Sequence, residues 1–259
     1  MRQPDPPFLE LSFYFADRTG REAFTQLVTT LVGFGATFTG EGKAHKGVGL
    51  RDQPFGSLSD ELREPLPLEN SEALTRWTSD PNTRLLQVSM GGATGAIADV
   101  AEIVTYESIS DEAASVDHHP VAIWTEGELF SGTFPKTHAG QARKVGQQTY
   151  ERFRLLVEAL APAYAAITTE YGLECPEDLR RDARSYAFQD FFVSRSYLGA
   201  NKVAKIQNLF AEAYAEPVGD GIYISCHRFF NPEGKDSEAK YGSGQSGEVA
   251  RLIASTVRR

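Results

Sequence analysis

The stretch Phe8-Leu9-Glu10-Leu11-Ser12-Phe13-Tyr14-Phe15 alternates apolar and polar residues at period two through its first half. This alternation predicts a β-strand with one buried face. Thr19 then stands three residues before Glu22, which is the spacing of a helix capping box. Apolar side chains follow at helical spacing at Phe24, Leu27, Val28 and Leu31. Gly33 ends this predicted helix, and residues 36–39 predict a second strand, so the chain opens as β-α-β.

The rest of the N-terminal region predicts further strands. Residues 40–67 are rich in Gly, Pro and charge and indicate a long loop. Residues 84–90 and 101–109 are β-rich, and the glycine-rich residues between them indicate a hairpin or a bulge. Residues 121–124 predict another strand.

Helical patterns are more frequent after residue 137. Residues 141–171 have a helical composition, which Pro162 is expected to kink or split. Pro176 starts another helix, and Asn201 caps a third. Residues 221–226 predict a strand, and residues 248–257 predict a terminal helix after a polar loop.

These patterns predict an α+β fold, with a mixed or antiparallel sheet and a helix-rich C-terminal half. The composition changes near residue 137, so we predict two regions. Residues 1–136 form a mixed region with the β-α-β opening, and residues 137–259 form a helix-rich region. Whether the two regions share one core stays open at this point.

Composition limits the classes of function. The 259 residues include 41% hydrophobic residues, which excludes wholesale disorder, and carry a formal net charge of -9. This acidic balance argues against a nucleic-acid partner, because phosphate contacts require a concentrated basic surface. No run approaches 18 apolar residues and the first residues lack a secretory h-region, so we expect a cytoplasmic protein without a membrane partner. Cys175 and Cys226 are expected to be reduced and partly buried.

The most strongly negative part of the chain is residues 102–128, which contain no Lys or Arg. An ordinary solvated face would explain this composition. The functional interpretation is an acidic docking face for a basic protein, because complementary charge accelerates encounter. The predicted partner-binding residues are Glu102, Glu107, Asp111, Glu112, Asp117, Glu126 and Glu128.

A second candidate site lies within the same segment. Asp117, His118 and His119 are consecutive, and His138 lies further along the chain. Carboxylate and imidazole ligands suit Zn²⁺ or Fe²⁺ and would define a hydrolytic site. The alternative is a solvated turn before Pro120, because neighbouring side chains on a strand diverge and no established metal-ligand spacing is present.

Nucleotide binding is not predicted. Gly242 and Gly247 have the separation of a phosphate-binding loop, but the next two positions are Glu248 and Val249. A carboxylate at the lysine position would repel the phosphates, and valine offers no hydroxyl to Mg²⁺.

Several short segments of the C-terminal half carry a family resemblance. They are Pro162-Ala163-Tyr164-Ala165-Ala166-Ile167, Phe191-Phe192-Val193-Ser194, Gly221-Ile222-Tyr223-Ile224 and Phe229-Phe230-Asn231-Pro232. Across residues 150–235 the sequence resembles the α+β immunity proteins encoded beside bacterial polymorphic toxins. The resemblance implies a cytoplasmic, non-catalytic protein that binds a toxin enzyme and occludes its active site. It transfers no catalytic residue and no cofactor.

Three functional hypotheses follow. The first is a cytosolic protein-binding module of immunity type, without a cofactor, that neutralises a toxin enzyme through its acidic face. The second is a metal-dependent hydrolase that uses Asp117, His118, His119 and His138. The third is a non-catalytic subunit of a larger assembly. The sequence predicts no oligomeric state.

Overall fold

Ten strands and seven helices make up the part of the chain that the computed structural model describes, which is residues 4–46, 63–65, 71–79, 83–91, 102–107, 119–127, 139–170, 172–183, 187–226 and 243–257. The strands are β1 (Phe8–Tyr14), β2 (Thr37–Lys46), β3 (Arg63–Pro65), β4 (Thr83–Gly91), β5 (Glu102–Glu107), β6 (Val121–Glu126), β7 (Tyr164–Thr169), β8 (Asp190–Ser194), β9 (Tyr214–Val218) and β10 (Gly221–Ser225). The helices are α1 (Gly20–Gly33), α2 (Ser71–Thr78), α3 (Ala139–Leu160), α4 (Pro176–Arg181), α5 (Arg195–Leu198), α6 (Ala200–Leu209) and α7 (Ser243–Ala254).

The strands form one sheet in the order β3-β2-β4-β5-β6-β1-β7-β8-β10-β9. Each neighbouring pair is antiparallel. Four antiparallel pairings separate β1 from β2, so these two strands run in the same direction without being neighbours. The predicted α+β class and the strand-helix-strand opening are confirmed, and α1 crosses over three intervening strands.

Both edge strands of this sheet contain a proline. Pro65 lies in β3 and Pro217 lies in β9. Proline has no N–H to donate, so it is tolerated at an edge and interrupts the row of donors that another strand would need. The proline positions therefore protect both ends of the described sheet against edge-to-edge pairing.

The first core lies between one face of the sheet and helices α1, α2 and α3. Leu9, Leu11 and Phe13 alternate along β1 and point into this core, as the period-two pattern predicts. Phe13 stacks on Phe153 of α3, with ring centroids 5.6 Å apart. Because Phe153 belongs to the second predicted region, the two regions share this core.

Helix α1 begins where the capping pattern predicts. The backbone N–H of Thr19 donates to Glu22 Oε2 over 2.7 Å, and the N–H of Glu22 donates to Thr19 Oγ1 over 3.3 Å. These reciprocal bonds satisfy two backbone donors that a helix end would otherwise leave without partners. The predicted capping box is confirmed.

The second core lies on the opposite face of the sheet, over β7, β8 and β10. Helices α4, α5, α6 and α7 contribute apolar side chains to it. Tyr14 at the end of β1 stacks on Tyr164 of β7, with ring centroids 4.6 Å apart. The aromatic residues Phe188 and Phe191 are fully buried in this core.

The prediction of a helix over residues 141–171, kinked or split at Pro162, is wrong after Leu160. Helix α3 ends at Leu160, and residues 164–169 form strand β7. Pro162 cannot donate to a preceding turn, and Ala161 has a φ of 51°, so the helix stops there. The strand is hydrogen-bonded to β1 and β8 and buried on both faces. A strand buried on both faces shows a continuous apolar run instead of alternation, which a sequence pattern does not distinguish from a buried helix.

Smaller differences occur near the C-terminus. Helix α7 begins at Ser243, inside the predicted polar loop, and α6 begins at Ala200, one residue before the predicted cap. Strand β9 was not predicted. The strands β7 to β10 make the C-terminal region a substantial part of the sheet, so its description as helix-rich is not confirmed.

The region boundary near residue 136 stays a prediction. Residues 128–138 lie outside the described part of the chain. Among the helices that are described, none combines the length and apolar character that crossing a membrane requires.

Replacing Gly221 tests the packing of β10 against β8. A Cβ at this position would overlap the carbonyl oxygen of Val193 and lie 2.6 Å from Phe192 Cζ. We expect Gly221→Ala to lower the free energy of unfolding by about 1–3 kcal/mol, because overpacking forces the neighbours to move. Urea denaturation measures the change.

Gly140→Ala is the matched control for this substitution. A Cβ at Gly140, in the first turn of α3, meets nothing within 4 Å. We expect this variant to be unchanged or more stable by at most about 1 kcal/mol, since alanine is the better helix former. Equal stability of the two variants would contradict the packing assigned to Gly221.

Candidate functional site

The structure describes the backbone of three of the seven predicted partner-binding residues, and the side chains of two of them, Glu102 and Glu126. Glu102 starts β5, Glu107 ends it, and Glu126 ends β6. The four others lie outside the described residues: Asp111, Glu112, Asp117 and Glu128. Their role in binding stays a prediction.

Glu102 is buried in an ion pair instead of facing solvent. Its side chain is 3% exposed, and that of Arg152 is 7% exposed. Two guanidinium nitrogens of Arg152 donate to the two carboxylate oxygens of Glu102, one of them over 2.6 Å. This forked pairing attaches the middle of α3 to β5.

Glu126 is also only 6% exposed. Two residues of the predicted acidic docking face, Glu102 and Glu126, are therefore buried instead of exposed. Glu102 lies opposite Met90 of β4, on the sheet face that α3 covers. Strand alternation shows that Glu102 shares a face with Val104, but the sequence does not show which face is covered. The guanidinium partner is 50 residues away in sequence, so no local pattern identifies it.

The structure describes one of the four candidate metal ligands. His119 is buried just before β6, whereas Asp117, His118 and His138 lie outside the described residues. Within the part of the chain that is described, no group of three His, Cys, Asp or Glu residues is placed to hold a metal ion. The four-residue metal site stays a prediction.

A different acidic surface is exposed beside α4. We call it the α4 acidic surface, and its residues are Glu170, Glu174, Glu177, Asp178 and Asp182. Three of these side chains are exposed and two are partly buried. The same segment contains two arginines, so negative charge exceeds positive charge.

Glu174 shows the electrostatic effect of this crowding. Its side chain reaches solvent, but partial burial raises the pKa of its carboxyl, and the neighbouring carboxylates Asp178 and Asp182 raise the pKa further. A raised pKa means that the charged form of Glu174 is disfavoured in the free protein. A cation placed beside Glu174 would relieve this effect.

Neither cysteine is presented as a nucleophile. Both thiols are free and buried. Burial raises the pKa of the Cys175 thiol, and the hydrogen bond that its Sγ donates to Asp178 Oδ2 over 3.0 Å raises the pKa further. Burial also raises the pKa of the Cys226 thiol, as does the charge of Asp190. Both side chains are therefore thiols at neutral pH, and the thiolate is the reactive form.

A buried polar cluster joins β8 to β10. The hydroxyl of Tyr223 donates to Asp190 Oδ1 over 3.3 Å, and the hydroxyl of Ser225 donates to the same oxygen. Complete burial raises the pKa of Tyr223, and Asp190 raises it further. These contacts fix the neighbouring strands β8 and β10 relative to each other.

Comparison with known proteins gives a distant structural likeness. No protein-family model and no curated protein matches the chain. Among solved structures, the chain is similar to a Pseudomonas aeruginosa T6SS protein, PA0821, with 11% sequence identity and a TM-score of 0.38. The match covers 84% of this chain, which spans 64% of the length of that protein. A likeness of this size carries no argument about activity, substrate or partner.

The buried ion pair predicts a large effect on stability. We expect Glu102→Gln to lower the free energy of unfolding by about 3–5 kcal/mol, because it leaves the Arg152 guanidinium buried without its counter-charge. The double variant Glu102→Leu with Arg152→Met should recover much of this loss. Urea denaturation of the unmodified protein, Glu102→Gln and the double variant measures both changes in the free energy of unfolding.

The matched control uses an exposed ion pair on the same helix. Arg154 and Glu158 are both more than 40% exposed, with an Nη1–Oε1 distance of 3.3 Å. Glu158→Gln should change the free energy of unfolding by at most about 0.5 kcal/mol. A similar small effect for Glu102→Gln would contradict the assignment of a buried, paired carboxylate.

The raised thiol pKa values predict a loss of stability at alkaline pH. The unfolded thiols ionise above pH about 8.5, whereas the native thiols keep their protons. The native state then binds more protons than the unfolded state, so each thiol lowers stability by up to about 1.4 kcal/mol per pH unit above that point. Urea midpoints measured from pH 7 to pH 10 test this slope.

The double variant Cys175→Ala, Cys226→Ala is the control. Only the slope of its stability with pH is compared, so that any constant loss of stability from the substitutions does not matter. We expect a flatter decline between pH about 8.5 and 10, where tyrosines of the unfolded chain begin to ionise. Identical slopes in both proteins would show that the thiols do not contribute.

Proposed function

We propose that the protein is a non-catalytic binding protein of immunity type, which neutralises a toxin enzyme by occupying a basic surface at its active site. In this proposal the protein acts in the cytoplasm, without a cofactor. The observation that carries it is the concentration of carboxylates at the α4 acidic surface, where Glu170, Glu174 and Asp182 are exposed.

The charge distribution supports a basic protein as the partner. The chain carries a net charge of -9, and the α4 acidic surface concentrates five carboxylates within 13 residues. Such a surface attracts cations over a distance of about 10 Å at moderate ionic strength. Long-range attraction raises the association rate, and the contact then neutralises charges that repel one another in the free protein.

The framework behind this surface supports binding without rearrangement. Leu179 anchors α4 in the second core with no exposed area, and Leu173 and Cys175 before it are buried as well. α4 also packs closely against α7. A surface that is held in place before binding loses little conformational freedom on association, which favours affinity.

Five further carboxylates, which the sequence predicts to bind a partner, extend the proposed binding surface. Glu107, Asp111, Glu112, Asp117 and Glu128 belong to the segment without Lys or Arg, and we propose that they contribute to the same attraction. The hydrolase alternative has no described observation in its favour. A subunit role in a larger assembly is an outcome of the experiment below.

The test first determines whether a toxin gene lies next to the gene of this protein, and then measures association with the product of that toxin gene. We expect a complex that protects a host co-expressing both proteins and whose association rate falls as ionic strength rises. The variant Glu174→Lys, Asp182→Lys should associate about tenfold more slowly at low salt, because charge steering changes association rates by this order or more. Surface plasmon resonance at two salt concentrations measures the rate.

The matched control is Glu151→Lys, Glu158→Lys, which makes the same change in net charge on α3. That helix packs on the other face of the sheet from α4. We expect a much smaller effect on the association rate. Equal slowing by both double variants would remove the α4 acidic surface from the proposal. A stable multi-protein assembly without a toxin would favour the subunit role.

A further inference from the structure

The sheet face that points away from α1 and α3 is covered by helices over β7 and β8. Over β1 and β6 the same face carries aromatic and acidic side chains. The helices of the second core cover β7, β8 and β10. At the start of β1, the register places Phe8 opposite Glu126 and Glu10 opposite Trp124. These four side chains share the face that points away from α1 and α3.

Phe8 and Trp124 form an aromatic pair on this face. Their rings are stacked, with centroids 5.6 Å apart and an interplanar angle of 17°. Both side chains are partly exposed and Glu170 is exposed, whereas Glu10 and Glu126 are buried. A planar cation stacks favourably on such a surface.

Three carboxylates surround the aromatic pair. Glu126 lies directly across from Phe8, and Glu10 lies two residues further along β1. Glu170, after the end of β7, donates its N–H to Phe8 O over 3.0 Å and accepts the N–H of Phe8 with its carboxylate. Cross-strand neighbours have Cβ atoms about 5 Å apart, and residues two apart along a strand are about 7 Å apart. Glu126 and Glu170 are therefore direct neighbours of Phe8, whereas the carboxylate of Glu10 accepts a hydrogen bond from the hydroxyl of Ser12.

Two polar atoms beside this group lack hydrogen-bond partners. Trp124 Nε1 and Thr105 Oγ1 are buried, and neither has a partner in the structure as described. Thr105 is only 4% exposed and lies opposite Ala122, diagonally next to Trp124 on the same face. Buried polar groups are normally satisfied, so these two atoms call for polar contacts that the described part of the chain does not supply.

We propose that this aromatic–carboxylate site, formed by Phe8, Glu10, Trp124, Glu126 and Glu170, binds an arginine side chain of a partner protein. A guanidinium group is planar, stacks on aromatic rings and presents five donors, which matches a ring pair flanked by carboxylates. The ammonium group of lysine lacks the planar surface.

The site is continuous with the α4 acidic surface through Glu170, which belongs to both. The inference rests on the proposed function in one respect, namely that the partner is a basic protein. It adds the chemistry of the contact, because the α4 acidic surface attracts any cation, whereas the aromatic–carboxylate site selects arginine.

The experiment titrates the full chain with N-acetyl-L-arginine methylamide and follows the indole N–H resonance of Trp124 by NMR. The variant Trp124→Phe assigns that resonance. We expect a saturable shift with a Kd on the order of millimolar, as is typical of a single side chain. The citrulline analogue has the same shape without charge, and we expect it and the lysine analogue to bind at least about fivefold more weakly.

Glu170→Gln tests the carboxylates without disturbing the fold, because Glu170 is exposed and the amide oxygen still accepts the N–H of Phe8. We expect it to weaken arginine binding about threefold or more, since hydrogen bonds to charged groups are the stronger ones. Glu158→Gln, on the opposite side of the sheet, makes the same change in net charge and should leave the affinity unchanged.

An unmoved Trp124 resonance, or equal shifts with the arginine and citrulline probes, would overturn the assignment. Equal weakening by Glu170→Gln and Glu158→Gln would also overturn it. The two proposals fail separately, because this titration contains no partner. If a toxin complex forms while Trp124 stays silent, the site is wrong and the function stands. If arginine binds but no toxin complex forms, the site stands and the immunity-type function falls.

Discussion

The double pairing of strand β1 is the constraint on which the other parts of the fold depend. Its backbone is hydrogen-bonded to β6 on one side and to β7 on the other, over six residue pairs each. Its side chains enter both cores, with Phe13 in the first and Tyr14 in the second. Because β6 and β7 both lie more than 100 positions after β1 in the chain, the sheet and both helical layers form around β1.

The parts of this arrangement that depend on neighbouring residues were predictable from the sequence. The alternation along β1 and the reciprocal bonds of Thr19 and Glu22 involve residues at most three positions apart within one element. The same holds for the start of α4 at Pro176, which places proline where its missing N–H has no consequence. Local sequence therefore predicts a helix or strand correctly where the sequence pattern depends only on residues within that element.

The rest of the fold depends on contacts between distant elements. The sequence of β7 resembles that of a buried helix, because burial on both faces removes the alternation that marks a strand. Glu102 was placed on an acidic exterior because its guanidinium partner, Arg152, belongs to a helix that reaches it only in the folded chain. The grouping of Glu10, Glu126 and Glu170 around Phe8 likewise requires the register of three strands. No spacing within one segment encodes that register.

The two acidic surfaces differ in how the fold holds their charge, and this difference determines what each can recognise. At the α4 acidic surface, partial burial and the neighbouring carboxylates Asp178 and Asp182 raise the pKa of Glu174, so any cation of a partner relieves the cost of its charge. Around Phe8, strand register fixes the carboxylates beside aromatic rings, where solvent screens them less and geometry limits which cation fits. The first surface therefore provides attraction over distance, and the second provides discrimination at contact. A protein that must bind one basic partner among many requires both, because attraction alone does not separate the correct partner from other basic proteins.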